Sequence, residues 1–246
     1  MHTLRVVLVS IAAVVFAVPG ALAHDSASNT DPRVVEVLEE MEAYMAGFDQ
    51  VELKALNSAD VRLDAGLMAG QATELHARAR RHPSSFRATA VGDVQNVELY
   101  ISGGLLTVFS PEIDYYAQTE APESVGAALR FALEELDIDA PLTDFFRPDI
   151  ADAMLTDVHT GLYLGLSWIR GVECHQLALR HPEADVQIWV STGDKPLPQK
   201  VVITSIWESG SPRFTSLLDW NVSPAFAPET FDFTAPPDSM KIDFLR

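Results

Sequence analysis

The stretch GVECHQLALRH, residues 171–181, decides how the second half of the chain is to be read. It holds the only cysteine, Cys174, beside His175, with His181 further on. Side by side, such a pair suggests a nucleophile with its base, or two metal ligands. On a strand, however, successive side chains point to opposite faces. His175 then shares its face with Leu177, Leu179 and His181, while Cys174 shares the other with Gln176, Ala178 and Arg180. That geometry is poor for a Cys-His dyad. His175 and His181 would stand roughly 20 Å apart at about 3.3 Å per residue, too far for one metal ion. Cys174 reads as a small buried residue packed like an alanine.

The flanking runs carry the same strand pattern. GLYLGLSWIRG, ADVQIWVS, QKVVITSIWE and RFTSLLDWNV fill residues 161–220 with short apolar-rich segments divided by turns. In ADVQIWVS, alternation puts Val186, Ile188 and Val190 on one face and Gln187 and Trp189 on the other. Residues 51–117 repeat the pattern as VELKALNSADVRLD, GQATELHARARRH, FRATAVGD, VQNVELYIS, LLTVFSP and IDYYAQ. This is an antiparallel meander without the βαβ rhythm of a parallel sheet.

Helices precede and interrupt the strands. DPRVVEVLEEMEAYMAG, residues 31–47, has a cap at Thr30 or Asp31, Pro32 in the first turn and Gly47 at the end. Val34, Val35, Leu38, Met41 and Met45 form its apolar stripe. TEAPESVGAALRFALEELDID places Val125, Leu129, Ala132, Leu133 and Leu136 on one face, and PLTDFFRPDIADAMLTDV adds short helical turns broken by Pro148. Helix, strands, helical insert, strands: this order makes one α+β domain.

The first 28 residues, MHTLRVVLVSIAAVVFAVPGALAHDSAS, have the parts of a secretory leader. His2 and Arg5 precede a short apolar run, and Ala21-Leu22-Ala23 forms an A-x-A cleavage site. The run is shorter than the about 20 residues that a membrane span needs. The expectation is cleavage after Ala23, release into a bacterial periplasm, a flexible segment over 24–30 and a single domain over 31–246. No integral membrane protein is expected. Thirty-five acidic residues against 17 basic ones give a formal charge of −18, which repels phosphate backbones and argues against nucleic acid as a partner. One cysteine makes no internal disulfide, so stability rests on a packed core.

Signatures of catalysis are missing. The chain lacks a G-x-S-x-G elbow, a P-loop, a dinucleotide fingerprint, an H-E-x-x-H and a C-x-x-C. Glu134, Glu135 and Asp137 lie on the polar side of a helix. His76 and His82, with Arg78, Arg80 and Arg81 between them, read as a charged exposed face; the same cluster could hold an anionic head group. His24 would become the N-terminus after cleavage and offer copper its amine and ring nitrogen, which leaves a copper-dependent enzyme as a remote alternative. No catalytic residue, metal ligand or cofactor is assigned.

Apolar supply is the distinctive feature. Phe131, Phe145, Phe146, Met154 and Leu155 lie in the inserted helices, and Trp189 among the later strands. A curved sheet lidded by amphipathic helices can enclose a pocket for an acyl chain or another amphiphile. Those five residues, His175, Leu177 and Leu179 on the strand face, and Trp189 are the candidate ligand-binding residues. The same side chains would equally well fill a core.

Several runs together carry a family resemblance: RRHPSSFRATAVGD, VELYISGGLLTVFSPEIDYYAQ, ALRFALEELDIDAPLTDFF, GVECHQLAL, VQIWVSTGDKPLPQKVVIT and FDFTAPPDSMKIDF. They resemble a bacterial family of predicted periplasmic proteins, across nearly the whole chain after the leader. That family is similar to the LolA/LolB-like lipoprotein carriers. Weaker shared features are Leu197-Pro198 before a strand, and Phe231, Phe233, Pro236 and Pro237 near the end. The resemblance implies a strongly curved, open antiparallel half-barrel with an N-terminal helix and inserted helices over its concave face. It also implies a hydrophobic cavity for a lipid or a lipoprotein-like amphiphile, used without catalysis, with an outer-membrane or periplasmic protein as a second class of partner. A signalling or scaffold module that recognises a partner protein is the alternative. The heavy acidity of this chain sets it apart from the carriers.

Overall fold

The computed structural model describes residues 29–64, 66–93, 96–138 and 142–244. The leader, its expected cleavage site and His24 lie outside them.

One sheet carries the architecture. Its strands are β1 (Asn29–Thr30), β2 (Gln50–Arg62), β3 (Met68–Arg80), β4 (Ser85–Gly92), β5 (Asn96–Ser102), β6 (Leu105–Ser110), β7 (Tyr115–Glu120), β8 (Thr160–Ile169), β9 (Val172–Arg180), β10 (Ala184–Ser191), β11 (Pro198–Ser205), β12 (Arg213–Asn221) and β13 (Met240–Ile242). Their spatial order is β1-β8-β9-β10-β11-β12-β2-β3-β4-β5-β6-β7-β13. Two meanders, β2–β7 and β8–β12, thus join where β12 pairs with β2, with Phe214 opposite Ala59 and Trp220 opposite Leu53. Both end pairings are parallel, β1 on β8 and β13 on β7, so the expected antiparallel sheet is mixed at its margins.

Helices lie over the concave face. In α1 (Pro32–Ala46), the Asp31 carboxylate accepts from the Arg33 N–H at 2.9 Å and Pro32 fills the first turn, where no donor is needed. The buried residues are Val34, Val37, Leu38 and Met41. Val37 is buried in place of the expected Val35, which is half-buried, and α3 (Ile150–Leu155) packs on α1, with the Glu42 carboxylate accepting from the Ala151 N–H at 2.8 Å. α2 (Val125–Leu136) buries Val125, Ala128, Leu129 and Ala132. These helices share one apolar cluster with Leu53, Ala77, Phe86, Leu99, Leu106, Leu177, Ile188, Val201 and Leu218 from alternate strand positions. Between them, the Ser216 hydroxyl donates to the Asn57 side-chain carbonyl at 2.7 Å; both residues are buried. This partnering removes most of the cost of keeping polar groups in the core.

Asn29 and Thr30, expected in a flexible segment, form β1 instead. The reason is local: Gly161 lacks a side chain, and a Cβ there would lie 2.6 Å from Thr30 Cγ2. β1 covers only Thr160 and Gly161 of β8. Beyond them Leu162, Leu164, Leu166 and Trp168 are 49, 50, 57 and 66% exposed along an uncharged edge, broken by a bulge at Tyr163/Gly165.

The C-terminal segment crosses the convex face. Phe231 is fully buried beneath the Arg80 guanidinium, 4.7 Å from its ring centroid. Phe233 packs among Tyr100, Phe109 and Tyr116 at centroid distances of 5.3, 5.7 and 5.2 Å. The segment ends as β13, which covers the β7 edge.

Candidate functional site: an apolar cleft at one end of the half-barrel

Where α1 runs into β2, the concave side opens into a cleft of about 190 Å³. Met45, Phe48 and Val51 line it from the α1–β2 junction, Ala79 and Arg81 from the end of β3, and Val125 from the start of α2. Phe145, Phe146, Arg147 and Pro148 enter from the short 3-10 turn Thr143–Phe146 and the residues after it, and Leu197 and Trp220 from the opposite meander.

Local chemistry holds each wall. The Trp220 indole donates to the Pro198 carbonyl at 2.7 Å, and its ring meets Phe145 edge-on at 5.9 Å and Phe146 at 6.2 Å. Phe146 also packs edge-on against Phe86 at 5.2 Å. Two serines hold the start of α2: Ser84 Oγ accepts from the Val125 N–H at 3.0 Å and Ser124 Oγ from the Ala127 N–H at 3.3 Å. Arg147, with a side chain only 12% exposed, grips Asp149 through two N–H groups at 3.1 and 3.0 Å. That grip holds the Asp149 carboxyl below the usual carboxylate range. The walls are therefore apolar and fixed, and the rim is polar.

The nine expected ligand-binding residues do not converge. Phe145 and Phe146 line the cleft. Met154, Leu177 and Leu179 are buried in the main core cluster and Leu155 packs against it. Phe131 is half-buried on α2. Trp189 sits on the other face of the sheet with Cys174 and Val202, its ring 4.6 Å from the Lys200 ammonium. Strand parity puts it there, since it lies one residue from Ile188 and Val190, which face the helices. Sequence reasoning missed Trp220, Val51 and Arg147 and met Arg81 only within a basic cluster able to hold an anionic head group, because only the β12–β2 register and the path of the insert bring them to one place.

His175 occupies a different part of the concave side. The Arg33 guanidinium lies 3.3 Å from its Nε2 and the Tyr163 hydroxyl 2.9 Å from its Nδ1. Arginine only donates, so Nε2 accepts, the ring is neutral, and Nδ1–H donates to the Tyr163 oxygen. Burial and the Arg33 charge both hold the His175 pKa below the ordinary histidine value. Cys174 points to the opposite face, where burial pushes its thiol pKa up and away from the reactive thiolate. The two neighbours form no nucleophile–base pair. His76 belongs to a network on the convex face, 2.5 Å from Glu52 and 2.9 Å from Arg78. Among the described residues, no group of three or more His, Cys, Asp or Glu side chains could hold a metal ion, and no helix is long and apolar enough to cross a membrane.

The sheet is an open, strongly curved half-barrel with helices over its hollow side. The chain belongs to the family of predicted periplasmic proteins known as DUF2092, whose pattern matches residues 34–245. No curated protein matches the sequence. Among solved structures, it is similar to the Mycobacterium tuberculosis lipoprotein LppX at 12% identity and TM-score 0.50, over 80% of this chain and 99% of that one. An uncharacterized conserved protein from Thermus thermophilus aligns at 9% identity and TM-score 0.50, over 85% and 97%. LprF from Mycobacterium bovis aligns at 12% identity and TM-score 0.47, over 87% and 100%. At these identities the likeness is one of fold.

Proposed function

We propose that this protein works in the periplasm, freed of its leader by cleavage after Ala23, and binds the apolar part of a lipid or other amphiphile without catalysing a reaction. The observation that carries this reading is the cleft: rigid aromatic walls from Phe145, Phe146 and Trp220, open to solvent, with a polar rim. Such a site gains affinity by removing aliphatic surface from water, at about 0.8 kcal/mol per methylene. Fixed walls reduce the ordering cost of binding.

Protein purified without detergent from a periplasmic extract is expected to release a stoichiometric amphiphile into organic solvent, identified by mass spectrometry. Intact mass of the same sample should begin at His24. A clean extract, together with no displaceable binding of anilinonaphthalene sulfonate, would sink the reading. A clean extract with a stoichiometric co-purifying protein would instead support a partner-recognition module.

A further inference from the structure

We infer that the cleft takes a single aliphatic chain to a depth of about six methylenes, with a carboxylate or phosphate head held outside it at Arg81. The inference rests on the amphiphile-binding reading and narrows it to one class of ligand.

The depth follows from volume. A methylene fills about the same space as a water molecule's share of the liquid, about 30 Å³. A cleft of about 190 Å³ therefore seats about six of them. Phe146 backs onto Phe86 and Phe145 onto Trp220, so aromatic rings close the space on two sides. A two- or three-chain lipid finds no room for its second chain in this cleft.

The head group follows from the donors on the rim. Arg147 is committed to Asp149, with Asp144 at 3.6 Å, and Arg80 to Ser85, the Pro83 carbonyl and the Phe231 ring. Arg81 also lines the cleft. It is exposed and has no side-chain partner among the described residues, its backbone N–H alone bonding to the Asp49 carbonyl. Among the described residues that line the cleft, Asp49 is the one carboxylate, and it weakens the local positive potential without a side-chain bond to Arg81. An uncommitted guanidinium beside an apolar cleft matches an acceptor-rich anion, which it can grip through two parallel N–H groups.

Calorimetric titration of the intact protein with hexanoate, octanoate, decanoate, dodecanoate and tetradecanoate tests the depth. Affinity should rise about fourfold per methylene to about octanoate, then level off. A rise that continues through tetradecanoate overturns the depth. Octyl phosphate set against octanoate separates the two head-group sources, and octanol and octyltrimethylammonium serve as controls. Arg81→Glu should weaken every alkanoate about tenfold and leave the break in the series where it is. Unchanged affinity in that variant, or octanol binding as well as octanoate, overturns the head-group assignment while leaving an amphiphile site standing. If no alkyl ligand binds at any length, the underlying reading fails with it.

Discussion

Phe146→Ala separates an open cleft from a closed core. A fully buried phenylalanine costs about 3–5 kcal/mol when cut to alanine, part of it a void penalty of about 24 cal/mol per Å³. The ring removed is about 100 Å³ larger than the methyl group left, so a sealed void would contribute about 2.4 kcal/mol. Phe146 is half-buried and one side faces the cleft, so water or ligand reaches the vacated space and that penalty drops out. What remains is part of the transfer free energy and the ring contact with Phe86, since Phe145 still packs on Trp220. The expected loss is about 1–2.5 kcal/mol, or about 2–10 °C in Tm for a domain of this size. Urea unfolding measures the first and calorimetry the second. The same variant gains room for about three more methylenes, so the break in the alkanoate series should move from about octanoate to about undecanoate. A loss of about 5 kcal/mol, the fully buried limit, with the break unmoved would refute the cleft and make Phe146 an ordinary core residue.

Other perturbations reach the rest of the fold. Gly161→Ala drives a Cβ into Thr30 and should cost about 1–3 kcal/mol by detaching β1; pairing it with Thr30→Gly should recover most of that loss in a double-mutant cycle, and failure to do so would discount the contact. Phe233→Ala removes the ring at the centre of three others on the convex face; because Phe233 is half-buried, urea unfolding should show a loss of about 2 kcal/mol, and hydrogen exchange should quicken at Met240–Ile242. Burial holds His76, His175 and His181 below the ordinary histidine pKa of about 6.5, helped at His76 by Arg78 and at His175 by Arg33. The unfolded chain then binds more protons than the folded one, so stability falls as pH drops from about 7 through about 6.5 toward about 5. Asp144, whose carboxyl burial raises, works in the opposite sense. His76→Gln should flatten the slope of the urea midpoint over that range, and a wild-type midpoint unchanged across it would contradict the assignment.

The sequence carried the fold further than the site. Asp31, Pro32 and Gly47 mark the ends of α1 because capping acts within one turn of chain. Alternation separates Val186, Ile188 and Val190 from Trp189 because a strand's period is local too. Nothing local tells which apolar face meets a cleft and which meets the core, so Leu177 and Leu179 looked equal to Phe145 and Phe146. Trp220 reaches the two phenylalanines through the pairing of β12 with β2, a long-range register that a one-dimensional pattern does not encode. Arg147 reads like any other surface charge until its pairing with Asp149 is seen, and Arg81 stands apart from Arg78 and Arg80 only once their partners are known. The convex aromatic cluster around Phe233 was foreshadowed only by the spacing of Phe231 and Phe233 ahead of Pro236 and Pro237.

The seam between the two meanders also sets a timetable. β2 is among the first strands to leave the ribosome or a translocation channel, yet its partner β12 follows so much later that Ser216 and Asn57, bonded across the seam, are 159 residues apart in sequence. Until β12 emerges, the backbone groups along one edge of β2 have no strand to pair with. A long unpaired strand is a template for wrong partners. The newborn first half therefore has an aggregation-prone margin that the finished protein hides at its centre. A chain arrested before residue 213 should precipitate or recruit a chaperone, where the full-length chain stays soluble.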